Sequence, residues 1–126
     1  MERTAIVPPD GAKPGGPYSP GIKHGNLLYI SGQLGIDPAT GEKAPGGFEA
    51  EVHQVLSNLR TVAEAADGSM ASVLKVTVYL VDAGDFAAMN EVYLTHFPEP
   101  RPARSTVEAG LMRDFRVEID AIVALD

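Results

Sequence analysis

The chain has 126 residues, a hydrophobic content of 44% and no cysteine, which excludes disulfides, thiolate metal sites and cysteine nucleophiles together. Its formal net charge is −7, from 10 Lys and Arg against 17 Asp and Glu, with no basic cluster anywhere. Nucleic acid and anionic membrane are therefore poor partners, since phosphate recognition needs concentrated positive charge.

The length suits one domain over residues 1–126, because domains usually run to about 100–150 residues. No apolar run approaches the roughly 20 residues that span a bilayer. Met1-Glu2-Arg3-Thr4 lacks the basic start and apolar core of a signal peptide, so a cytoplasmic protein is expected. A short strand at Thr4–Val7 precedes a stretch rich in Pro and Gly (Pro8-Pro9-Asp10-Gly11, Pro14-Gly15-Gly16-Pro17) that cannot sustain a helix.

After a turn at Gly25-Asn26, Leu27–Leu34 alternates as a strand. Leu28, Ile30, Gly32 and Leu34 fall on one face, and Leu27, Tyr29, Ser31 and Gln33 on the other. Asp37–Gly41 has the composition of a turn. Phe48–Ala66 carries the spacing of an amphipathic helix, with Phe48, Val52, Val55, Leu56, Leu59, Val62, Ala63 and Ala66 inward and Glu49, Glu51, Gln54, Ser57, Arg60 and Glu64 outward. Asp67-Gly68 ends it.

Val73–Val81 reads as a strand with Leu74, Val76, Val78 and Leu80 on one face and Lys75, Thr77 and Tyr79 on the other. A second helix at about Asp85–Phe97 follows an N-cap at Asp82, its apolar stripe being Phe86, Met89, Tyr93 and Phe97. Pro98–Pro102 breaks the chain before two last strands, Ala103–Ala109 and Arg116–Leu125. The order β-β-α-β-α-β-β predicts an α+β domain with both helices packed on one face of a mixed sheet.

Alternation then predicts what the other face holds. The last strand contributes Arg116, Glu118, Asp120 and Ile122; Ala103–Ala109 contributes Arg104, Thr106 and Glu108; the earlier strands add Tyr29, Ser31, Gln33, Lys75, Thr77 and Tyr79. Charges, hydroxyls and rings on one face suit a surface that meets other subunits while keeping polar groups for chemistry. An oligomer of unspecified size is expected.

Gly16-Pro17-Tyr18-Ser19-Pro20, Tyr29-Ile30-Ser31-Gly32-Gln33, Asp37–Glu42, Lys75–Leu80, Asp85-Phe86-Ala87, Met89-Asn90 and Pro102-Ala103-Arg104-Ser105 occur in that order. Together, and over nearly the whole chain from Gly16, they resemble the Rid family of reactive intermediate deaminases, also called YjgF/YER057c/UK114. The resemblance implies a chorismate-mutase-like α+β fold and a homotrimer with sites in the clefts between subunits. It also implies hydrolysis, without a cofactor or a metal, of 2-aminoacrylate and related enamines and imines released by pyridoxal-phosphate enzymes.

Carried over by position, Arg104 matches the family's substrate-carboxylate arginine and Glu118 the acid beside the attacking water. A guanidinium fork holds a carboxylate through two parallel hydrogen bonds and keeps its charge. A carboxylate can position or deprotonate water and return the proton to a departing nitrogen. Tyr18 and Ser31 match pocket residues, Gly32 allows close backbone approach, Asn90 borders the site, and Thr106 stands where close relatives often have Cys. The segment from Val107 to Phe115 is slightly short and has Met112 where relatives often carry Pro, which bears on substrate preference.

Plainer roles compete at each position. Arg104 can pair with Glu108, Glu118 or Asp120, and Glu118 with Arg116 or Lys75; Ser31 can be a small residue where strands crowd, Tyr18 an interface ring and Asn90 a helix brace. Two other functions stand beside hydrolysis: a metabolite-binding or chaperone-like trimer without turnover, and an endoribonuclease or translation inhibitor, which the acidic charge disfavours. His24, His53 and His96 share no metal-ligand spacing and read as surface or packing residues. Neither a phosphate-binding loop nor a serine nucleophile elbow is present.

Overall fold

Two β-branched segments that alternate apolar and polar residues meet at the centre of the molecule. In the computed structural model, which describes residues 2–126, these are β6 (Val73–Leu80) and β8 (Val117–Ala124). They pair antiparallel, with Val78 opposite Ile119 and Leu80 opposite Val117, and all four side chains are buried. Around them lie β1 (Arg3–Ile6), β2 (Gly21–His24), β3 (Leu27–Gln33) and β7 (Ala103–Glu108), giving the sheet order β1-β2-β3-β8-β6-β7. Only β6 and β7 run parallel, so the sheet is mixed.

Helix α1 (Phe48–Ala65) lays Val52, Val55, Leu56, Leu59, Val62 and Ala63 on one sheet face, and α2 (Phe86–Tyr93) packs beside it with Met89, Val92 and Tyr93 buried. Each fully buried aliphatic side chain is worth about 1.5–3 kcal/mol of transfer free energy. The predicted α+β arrangement, with two helices on one face of a mixed sheet, is the one observed. Among the described residues no helix is long and apolar enough to cross a membrane.

Several local expectations change. Strand β2 lies in a segment expected only to approach a turn, and the composition that marked Asp37–Gly41 as a turn closes a small hairpin of β4 (Ile36–Asp37) and β5 (Glu42–Lys43). The second helix is shorter than Asp85–Phe97. Asp82 does cap its entry, its carboxylate accepting from the Gly84 N–H at 2.8 Å, but Ala83–Asp85 is a 3-10 turn and α2 stops at Tyr93. Beyond it the N–H groups of Thr95 and His96 turn back to the carbonyls three residues earlier, which still carries Phe97 into the core.

Leu74 does not share the face of Val76. It is the extra residue of a bulge opposite β8, so Val73 takes the inward position and Leu74 is half-exposed. With Tyr29 and Val107 it leaves large apolar side chains exposed on the protomer.

Glu51, expected on the outer side of α1, is wholly buried. Its Oε2 accepts the N–H groups of Arg116 and Val117, at 2.7 and 3.2 Å, where β8 begins and no neighbouring strand reaches them. Asn58, also buried, donates from Nδ2 to the carbonyls of Leu34 and Ile36. Both polar side chains of α1 thus supply the hydrogen bonds that irregular backbone near the sheet requires.

Candidate active site

Glu118 lies on β8 opposite Tyr79 of β6, on the sheet face that carries no helix. It lines a cleft of about 870 Å³ together with Tyr18, Ser31, Gly32, Lys13, Met112 and Arg113. A bulge in β3 places two of these residues. Between the pairs Ile30–Ala121 and Gln33–Ile119, β3 has two residues where β8 has one. The extra residue turns Gly32 out of the helix-facing register that simple alternation assigned to it. A Cβ on Gly32 would sit within 2.8 Å of the Glu118 Cδ, so only glycine lets the carboxylate lie against the backbone.

Ser31 is fixed from both sides: its N–H donates to the Pro20 carbonyl at 2.9 Å and its hydroxyl to the Ser19 carbonyl at 2.6 Å. These bonds tie β3 to the Pro/Gly segment carrying Tyr18, whose hydroxyl accepts from the Gly15 N–H at 3.2 Å. Burial pushes the Glu118 carboxyl above its usual range, and the neighbouring Asp120 carboxylate adds to this. Among the described residues Glu118 pairs with neither Arg116 nor Lys75. Arg116 is held by Asp85 at 2.8 Å, and Lys75 donates to the hydroxyls of Thr77 and Ser105.

Arg104 is not in this cleft. Strand β7 runs parallel to β6 with Val76 opposite Arg104 and Val78 opposite Thr106, and both valines point into the helix-covered core. Arg104 and Thr106 therefore take the helix side of the sheet, while Ala103, Ser105 and Val107 take the open side. This reverses the predicted faces of β7. The physical reason is position: β7 is the sheet edge, its inward side is only half-covered, and Val107, at 44% exposure, misreports the core side.

The Arg104 guanidinium lies over two rings of α2, 4.8 Å from the centroid of Tyr93 and 5.5 Å from that of Phe86. Phe86, Asn90 and Tyr93 follow i, i+4, i+7 spacing, so Asn90 shares the stripe that Arg104 covers. Phe86, expected in the core, is half-exposed beneath the guanidinium. Arg104 forms no ion pair among the described residues, and the Asn90 Oδ1 and the Tyr93 hydroxyl are buried without a hydrogen-bond partner. Burial raises the Tyr93 hydroxyl pKa, and the positive charge of Arg104 works against that rise.

The named residues thus form two groups in one protomer. Tyr18, Ser31, Gly32 and Glu118 converge on the open face; Arg104, Thr106 and Asn90 gather beyond its edge on the helix side. Alternation missed the second placement, as well as the Glu51 and Asn58 supports and the rim residues Lys13 and Arg113. It also missed the contact of His53 Nδ1 with His96 Nε2 at 2.9 Å, where burial, then His53, lowers the pKa of His96. Among the described residues no three His, Asp or Glu side chains are grouped to hold a metal ion.

The molecule is thus a small α+β protein, a mixed sheet backed by two helices, with an acid cleft on one face and an arginine set over aromatic rings at the sheet edge. Comparison with known proteins gives the family. Residues 10–125 match the model of the family described as Endoribonuclease L-PSP. A RutC family protein of Pyrococcus horikoshii is 49% identical over 95% of this chain and 96% of its own length. The 2-iminobutanoate/2-iminopropanoate deaminase of Mus musculus is 44% identical over 85% of this chain and 80% of its own. The crystal structure of RidA from an Antarctic Psychrobacter superposes with a TM-score of 0.93 at 41% identity, covering 97% of this chain and 99% of that one. The chain belongs to this family, the Rid or YjgF/YER057c/UK114 family.

Proposed function

We propose that this protein hydrolyses reactive 2-imino acids, and the 2-enamino acids that tautomerise to them, to 2-keto acids and ammonia. The sites are completed between copies of a homotrimer. The observation that carries this reading is the division of the site: Arg104 and Glu118 sit on opposite sides of one sheet, and among the described residues neither forms an ion pair. An arginine suited to an anion and an acid suited to a water become one site if one copy's edge strand meets another copy's open face. Relatives named 2-iminobutanoate/2-iminopropanoate deaminase support the chemistry.

Arg104 of one copy holds the substrate carboxylate through its guanidinium fork, stiffened by the Tyr93 and Phe86 rings beneath it. Asn90, whose Oδ1 is unpartnered, and Thr106 border that carboxylate. In the neighbouring copy Glu118 takes a proton from water as the oxygen adds to the imine carbon. That proton passes to the nitrogen to give a carbinolamine; the hydroxyl proton then follows to the nitrogen through the same carboxylate as the C=O bond forms, the C–N bond breaks, ammonia leaves and the keto acid remains. A Glu118 carboxyl raised by burial suits a group that accepts and then returns a proton. An imine is already electrophilic, so positioning and proton management suffice and no cofactor is required.

The test is a coupled assay in which a pyridoxal-phosphate dehydratase releases the imine from serine or threonine and semicarbazide traps what is left. The native protein lowers semicarbazone formation and Arg104→Ala does not. Native protein without effect across several amino-acid precursors would favour a metabolite-binding or chaperone-like trimer instead. Equal activity of the variant would remove Arg104 from the mechanism.

A further inference from the structure

Several of the chain's cations are matched by acids. Lys43 lies 3.5 Å from Glu51 and 3.6 Å from Asp114, and Arg60, Arg101 and Arg116 pair with Glu64, Glu99 and Asp85. Lys13 and Arg113 both line the Glu118 cleft and form no ion pair among the described residues. Among the described residues the lining sets these two cations against one carboxylate, Glu118. In a chain of net charge −7 the cleft is a local reversal of sign.

Arg113 is positioned as well as charged. Its φ of 51° is left-handed, a conformation that costs a non-glycine residue energy and persists only where the surroundings impose it. On its C-terminal side Lys43 Nζ donates to the Asp114 carbonyl at 3.2 Å, and the Arg116 and Val117 N–H groups are held by buried Glu51. The guanidinium stacks 4.8 Å from the Phe115 ring centroid and donates no side-chain hydrogen bond among the described residues. A guanidinium with its face on a ring keeps its hydrogen-bonding edge free for a carboxylate.

We propose that Arg113, assisted by Lys13, binds a second carboxylate on the substrate, so that the cleft favours 2-imino dicarboxylates such as 2-iminosuccinate over 2-imino acids with small apolar side chains. This rests on the imine hydrolysis proposed above. The carboxylate beside the imine carbon goes to Arg104 of the neighbouring copy, and the distal carboxylate reaches the Arg113 rim. Water adds to the imine carbon, the C–N bond breaks, ammonia leaves and 2-oxosuccinate forms with its distal carboxylate unchanged. Met112 on the same rim is apolar and 75% exposed, which makes a preference for long apolar side chains the competing outcome.

The experiment generates 2-iminosuccinate from D-aspartate and 2-iminopropanoate from D-alanine with flavin-dependent oxidases, in the presence of catalase, and follows competition with semicarbazide. The quantity read is the ratio of kcat/KM for the two imines, measured on one preparation so that any loss of folded protein cancels. Native protein prefers 2-iminosuccinate. In Arg113→Met the ratio falls about tenfold, the size of one charged hydrogen bond, through KM, and Arg113→Lys recovers part of it. A ratio unmoved by Arg113→Met overturns the proposal. So does native protein that hydrolyses 2-iminopropanoate and not 2-iminosuccinate, which leaves imine hydrolysis standing. Native protein that hydrolyses neither overturns both.

Discussion

The cleft around Glu118 and the patch around Arg104 are built in opposite ways. Glu118 stands on a central strand, against the bulged backbone at Gly32 where a Cβ would meet its carboxylate, with a rim pinned by a buried carboxylate from α1. Arg104 stands on an edge strand, over aromatic rings, beside buried polar atoms without a hydrogen-bond partner among the described residues. The first region is finished within one chain; the second is left open. In the proposed hydrolysis the acid rests on the interior of the sheet, and the substrate's charge is taken by an element placed to meet a neighbouring copy.

The sharpest way to break this comparison is complementation. Arg104→Ala and Glu118→Ala should each lower kcat/KM by about 1,000-fold, within the range of a lost acid–base group. Co-expressed in equal amounts they should regain about a quarter of native activity, because random cyclic trimers restore one intact pair in four. A mixture no better than its components would place both groups in one protomer's site.

Gly32→Ala presses a methyl onto the Glu118 carboxylate. It should cost about 1–3 kcal/mol from overpacking and about 100-fold in activity from displacement of the acid, read by urea titration and by the coupled assay.

Stability separates the two regions further. Glu51→Ala leaves the Arg116 and Val117 N–H groups without an acceptor and should cost about 3 kcal/mol. Asn90→Ala removes an oxygen already unpartnered and should cost under about 1 kcal/mol while weakening substrate binding. Equal losses of stability would erase the contrast between a finished and an open region.

The smallest effect concerns pH. A Glu118 carboxyl raised by burial and by Asp120 places the acidic limb of the kcat/KM profile above the ordinary carboxylate range. Asp120→Asn removes the like charge, lowers the Glu118 pKa and moves that limb toward lower pH; burial keeps it from returning fully. The linkage to stability has the same sign. A folded-state pKa above the unfolded one gives a contribution that is present below the unfolded pKa and lost as pH rises through the folded one. A Glu118→Gln protein should therefore gain in Tm over native at neutral pH, and the gain should vanish in acid.

What could be foreseen from the residues follows from where burial leaves a periodic trace. Val52 to Ala63 on α1 and Val117 to Val123 on β8 alternate against a full core, so their faces were legible, as was the α+β architecture. Edge strand β7 has no such trace. Arg104 drew attention through its surrounding motif, and only the parallel pairing of Val76 with Arg104 showed which way it points. The bulges at Ser31-Gly32 and Leu74 each shift the alternation by one residue, which a period-two pattern cannot register. Glu51 was hidden because a buried acid and an exposed one have the same letter, and only the unpaired N–H groups of a distant strand distinguish them.

The outermost place of β7 carries a consequence for the life of a single copy. One side of Ala103–Glu108 pairs with β6, and the other presents a row of unpaired main-chain donors and acceptors. Such an edge is a template for adding any strand that arrives, including another copy's. Under the proposed assembly solubility and chemistry are thereby tied together: a newly made subunit slow to find its neighbours would be both inactive and prone to aggregate.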